Sequence, residues 1–132
     1  GSFDAAKEKG EGFWVIAADA DQSQLGAEQQ LAYAAKGVDT AVFTVSQQVV
    51  EGTFEGGELS LGLAEGGVDL LSPGGYVPED VMAVVDRYKQ AIIDGAITVP
   101  ADEAELEAYT PTAPEDLPAG GMASPVAGTP AA

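Results

Sequence analysis

Short, continuously apolar runs alternate with stretches of helical periodicity along the first hundred residues. Phe13-Trp14-Val15-Ile16-Ala17 is uninterrupted and short, as a strand covered on both faces must be, and Leu31 to Ala35 repeats the pattern in an alanine-rich form. From Val38, apolar side chains recur at Ala41, Val42, Val45 and Val49, which predicts a helix over 38–50 with Gly52 as its stop. Ahead of the first run, Ser2 is positioned to cap a helix over 3–9 that ends at Gly10, with Lys7 and Lys9 near its C-terminus. Residues 22–30 are polar, contain Gly26 and read as a loop.

Farther along, Leu59, Leu61 and Leu63 alternate with Ser60 and Gly62, the period of a half-covered strand. Val68 to Leu71 reads as another short strand before the turn signal Pro73-Gly74-Gly75. The clearest helix spans 78–94: Pro78 stands in its first turn, Glu79 and Asp80 face the positive end of its dipole, and Val81, Val84, Val85, Tyr88 and Ile92 share one side. Gly95 ends it, and Ile97 to Val99 is expected to return as a last strand. Strands alternating with helices predict an α/β fold of three layers with a mainly parallel sheet over residues 1–101. Residues 102–132 hold no Lys or Arg and are rich in Pro and Ala; from about 108 onward we expect a disordered tail that contacts no ligand.

Composition narrows the function. The 132 residues suffice for one ordinary domain, but 22 acidic side chains face only 5 basic ones, a net charge of −17. Residues 1–101 alone carry 16 acids and 5 bases, or −11, so the acidity is not confined to the tail. Nucleic acid and anionic membrane surfaces need clustered cations and are disfavoured as partners. With neither Cys nor His, thiolate nucleophiles, zinc–thiolate sites and Ser-His-Asp catalysis are excluded. No apolar stretch approaches the roughly 20 residues of a membrane span. The chain enters its first helix with no strand before it, as a sequence that starts inside a fold would.

Candidate chemistry sits where the apolar runs end. The first run empties into Asp19-Ala20-Asp21-Gln22 and the second ends on Lys36, and in doubly wound sheets ligands are held at the carboxyl ends of parallel strands. Asp19 and Asp21 could take a divalent metal, as in a metal-dependent α/β hydrolase, or could serve only as turn-forming residues. Lys36, beside a helix N-terminus where the dipole disfavours a cation, either pairs with Asp39 or another acid, or holds a specific partner. The glycine pairs at 56–57, 66–67 and 74–75 match neither dinucleotide nor phosphate-loop fingerprints and read as turns.

Five segments, in order, resemble the C-terminal part of the BMP family of basic membrane lipoproteins, the PnrA-like purine-nucleoside receptors. They are Phe3-Asp4-Ala5-Ala6-Lys7-Glu8, Val15 to Gln22 with its Asp-x-Asp-Gln motif, Ala34 to Asp39, Gly52 to Gly57 with the stretch from Leu61 to Val68, and Ile92 to Pro100. Ala17-Ala18 stands in place of the family's usual Gly-Val, and Ala35 with its neighbours in place of a Ser-Val-Val run. The resemblance implies a type I periplasmic-binding-protein fold of two lobes closing on a ligand. It also implies a lipid-anchored, extracytoplasmic receptor that binds a nucleoside of the adenosine, guanosine or inosine type without a cofactor and serves an ABC-type permease. Asp19 would accept hydrogen bonds from ribose hydroxyls and Lys36 would donate one to the same sugar. The family's N-terminal portion, which carries the aromatic residues that stack on the base, would have to supply the other half of the site. A receptor for another sugar-like ligand, the hydrolase using Asp19 and Asp21, and a scaffold that binds no ligand are the alternatives.

Overall fold

A computed structural model describes residues 1–118, which fall into two compact units, Gly1–Pro78 and the residues from Glu79 onward. The first holds helix α1 (Ser2–Lys9), strand β1 (Val15–Asp19), helix α2 (Ser23–Gly26), a 3-10 turn at Ala27–Gln29, strand β2 (Gln30–Lys36), helix α3 (Val38–Glu51) and strand β3 (Val68–Leu71). Ser2 is the first residue of α1, not its cap; Gly1 takes that position. Both apolar runs are strands, shifted by a residue or two so that each includes its terminal charge: Asp19 belongs to β1 and Lys36 to β2.

The sheet order is β1-β2-β3. β1 and β2 are parallel, as the alternation of strand and helix requires, while β3 is antiparallel to β2, so the sheet is mixed rather than uniformly parallel. The α/β class holds, and the parallel pair is the part that carries candidate chemistry. Phe3, Ala6, Ala17 and Ala32 are buried, so α1 and the alanine-rich strand interiors share this unit's small core. α3 closes at Gly52, whose φ of +70° suits a residue without a Cβ, and whose N–H reaches back to the Val49 carbonyl.

Two expected strands do not form. Around 59–63 no strand forms and a local turn follows instead: Gly67 N–H donates to the Gly62 carbonyl at 2.8 Å, and Gly62 N–H to the Glu65 carboxylate at 2.8 Å. The expected loop over 22–30 holds α2 and the 3-10 turn instead.

The second unit is built on helix α4 (Glu79–Ile93), followed by helix α5 (Glu103–Ala108) and a 3-10 turn at Pro114–Asp116. Ile97 joins no sheet. Its N–H donates to the Ala91 carbonyl at 3.0 Å and its side chain is buried against Ala91 and Leu117, with Val84, Tyr88 and Ile92 around them. The described part of the expected tail is therefore ordered. Asp102 caps α5 by accepting from Glu105 N–H, Tyr88 OH donates to the Thr112 carbonyl at 2.6 Å, and an Arg87 guanidinium N–H donates to the Leu117 carbonyl at 2.8 Å. Low apolar content misled the sequence reading because one leucine, 4% exposed, and two side-chain bonds from α4 suffice to fasten the segment. Residues 119–132 of that tail lie outside the described residues.

Truncating Leu117 removes the outer wall of this small core. Leu117→Ala is expected to destabilise the chain by about 2–3 kcal/mol in urea titration, the usual cost of a leucine-sized cavity. An unchanged midpoint would show the segment to be an ornament of α4.

Candidate functional site

Parallel pairing brings the two strand-end charges together. Asp19 stands opposite Ala35 in the β1–β2 ladder, Lys36 is the next residue along β2, and Lys36 Nζ lies 2.6 Å from Asp19 Oδ1. Both side chains are open to solvent, at 62% exposure for Lys36 and 67% for Asp19. An ion pair so exposed contributes about 0–1 kcal/mol to folding. Its location at the carboxyl edge of the parallel strands is the ligand-binding position of open α/β sheets.

The backbone at Asp19 is unusual. Its φ is +71°, the one non-glycine positive φ among the described residues, and Ala20 N–H donates to the Ala18 carbonyl at 2.9 Å. A bond from residue i+2 to residue i around a central φ near +75° is the strained form of the γ-turn. Asp tolerates the left-handed region better than most residues, but the conformation persists only where its surroundings enforce it.

Those surroundings are supplied by Gln30, 2% exposed at the head of β2. Its amide oxygen accepts Gln22 N–H at 3.0 Å, and its amide nitrogen donates to Asp21 Oδ1 at 2.7 Å. The same Asp21 oxygen accepts Ser23 N–H at 2.9 Å, opening α2, and the Gln22 amide donates to the Ala18 carbonyl at 3.0 Å. The chain thus reverses at Asp19 and is tied down within three residues. The Ser23 N–H first, and the Gln30 amide second, hold the Asp21 carboxyl below the ordinary carboxylate range.

Lys36 is fixed from the other side. It pairs with Val68 of β3, and the next residue, Gly37, donates its N–H to the Gly67 carbonyl at 2.8 Å. A Cβ on Gly37 would collide with the Gly66 carbonyl oxygen, so the approach of the 66–67 turn to the end of β2 demands glycine at 37.

The structure therefore joins Asp19 to Lys36 and separates Asp21 from both: Asp21 shapes the turn, as the plainer of its two sequence readings holds. Among the described residues no three Asp, Glu, His or Cys side chains come together as a metal site. Gln30 was missed by sequence reasoning. Its one signal was an amide placed directly before the apolar run at Leu31.

Comparison with known proteins places the fold and the family. A crystal structure of an ABC transporter system solute-binding protein from Aeropyrum pernix K1 superposes with a TM-score of 0.58 at 28% identity, over 80% of this chain and 38% of that one. Basic membrane protein A1 of Borrelia garinii subsp. bavariensis is 33% identical over 112 residues, 83% of this chain and 33% of that protein. A CD4+ T-cell-stimulating antigen of Listeria monocytogenes is 34% identical over 104 residues, 71% of this chain and 29% of that protein. The fold is thus that of ABC solute-binding proteins. Residues 1–103 match the Bmp family, ABC transporter substrate-binding protein PnrA-like, and the chain belongs to that family. It spans about a third of the length of the curated relatives it matches.

Two outcomes are expected. In an NMR titration the Asp21 carboxyl should show its midpoint below that of an ordinary aspartate, and Gln30→Leu should move it back upward. A carboxyl depressed in the folded turn stabilises that turn above the ordinary carboxylate range and loses the effect as pH falls through the depressed value, so the 19–23 turn should loosen on acidification below that range. Second, Lys36→Ala should change folding stability by less than about 1 kcal/mol, since it removes one exposed charge pair. A larger loss in chemical denaturation would make the pair structural.

Proposed function

We propose that this chain forms one wall of the ligand cleft in an extracytoplasmic, lipid-anchored receptor that delivers a purine nucleoside to an ABC-type permease, with Asp19 and Lys36 holding the ribose. The observation that carries the reading is the solvent-facing Asp19–Lys36 pair at the carboxyl edge of two parallel strands. A carboxylate only accepts hydrogen bonds and an ammonium only donates them, whereas each ribose hydroxyl does both. Vicinal hydroxyls can therefore come between the two groups, donating to Asp19 and accepting from Lys36, and replace a weak exposed ion pair with charge-assisted bonds in a closing cleft. An opposing lobe, outside the residues described, supplies the second wall and reads the base. Family membership supports substrate binding rather than catalysis as the role of the edge.

The test is calorimetry on the two-lobed receptor with adenosine, guanosine and inosine, their free bases, and ribose. Hydrogen bonds to charged groups are worth about 1.5–3 kcal/mol, so Asp19→Ala and Lys36→Ala should each weaken nucleoside binding roughly ten- to a hundred-fold and leave the free bases almost unaffected. Equal losses for nucleoside and base would remove the ribose role. Ribose binding as tightly as the nucleosides would turn the reading toward another sugar-like ligand.

A further inference from the structure

A buried amide that fastens an exposed turn is an expensive arrangement to maintain by chance. A polar side chain taken out of water must find partners or destabilise the fold, and both polar ends of the Gln30 amide spend their hydrogen bonds on the turn after β1. Nothing in the sheet itself needs them, since β2 is held by its ladders to β1 and β3. What the bonds do fix is Asp21 and Gln22. With β1 held by its ladder as far as Asp19, opposite Ala35, and Gln22 tied both to Gln30 and to the Ala18 carbonyl, Asp19 and Ala20 have little freedom. Asp19 takes the positive φ that remains. That φ sets the direction of its Cα–Cβ bond, and so the direction of the carboxylate that meets Lys36.

We infer that Gln30 is a positioning residue for ligand binding: it acts through Asp21 and Gln22 to hold Asp19 in the strained conformation that aims its carboxylate at the ligand. The inference rests on the ribose role of Asp19 and adds a residue that touches no ligand. Strain held by a buried clamp keeps the acceptor preorganised, so no ordering cost falls on the binding step.

The experiment is a double-mutant cycle in the intact two-lobed receptor, read by calorimetry with inosine and hypoxanthine. Gln30→Met keeps side-chain length and removes both hydrogen bonds; Gln30→Asn, which shortens the reach by one methylene, serves in its place if the Met variant does not fold. Losing aim without losing the carboxylate should weaken inosine binding by about five- to ten-fold, on the scale of one hydrogen bond, and leave hypoxanthine unchanged. In the Asp19→Ala background the same Gln30 substitution should have almost no further effect on inosine, because its route to the ligand is gone. Amide hydrogen exchange gives a second readout without ligand: Ala20 and Gln22 N–H should exchange faster in the Gln30 variant while Ala32 and Tyr33 keep their protection. Additive losses in the cycle, or equal losses for inosine and hypoxanthine, would overturn the positioning role and leave the ribose role standing. An Asp19→Ala receptor that binds inosine normally would overturn both.

Discussion

Parallel pairing compels two strands to finish at one edge of a sheet, and in this chain that edge carries both charged residues of the site. β2 is the central strand, so its end is fixed twice: Ala35 lies opposite Asp19 of β1, and Lys36 lies opposite Val68 of β3. The antiparallel turn of β3 is what allows the second constraint, because it brings the 66–67 turn to the same edge, where Gly67 accepts the Gly37 N–H.

Rigidity at the edge is uneven, and usefully so. Lys36 stands on a long, flexible stem at the end of a well-paired strand, while Asp19 is short and depends on its backbone for direction. The backbone is accordingly the part under strain, with a positive φ at Asp19 and a buried amide holding the reversal that follows. Adjustable donor and fixed acceptor suit a cleft in which one wall must be ready before the other closes upon the ligand.

Much of this was legible in the sequence because it depends on local rules. Uninterrupted apolar runs mark strands, although in β1 only Ala17 is buried and Ile16 lies exposed, so the expected cover on both faces is not there; charges at the runs' ends mark the edge, and Gly52 marks the close of α3. What was not legible depends on competition between local and distant partners. Leu59 to Leu63 alternates as a strand should, yet Gly62 bonds to Glu65 and Gly67 within a turn rather than to a neighbouring strand. Ile97 follows a helix as a strand might, yet Ala91 and Leu117 offer it a closer burial site. Gln30 is the instructive case: its place directly before Leu31 is its one local signal, and its role arises only when β2 and the turn after β1 are brought together. The described residues beyond Pro100, 101–118, likewise look too poor in apolar side chains to order, until Tyr88 and Arg87 reach across to the Thr112 and Leu117 carbonyls.

The central claim, that the paired strand ends hold a sugar, is tested most directly by a crystal structure of the two-lobed receptor with a bound purine nucleoside. The account predicts the ribose hydroxyls within hydrogen-bond distance of the Asp19 carboxylate and the Lys36 ammonium, with Asp19 still at positive φ and Gln30 still bonded to Asp21. A nucleoside seated elsewhere, with Asp19 and Lys36 paired to each other and facing solvent, would contradict it.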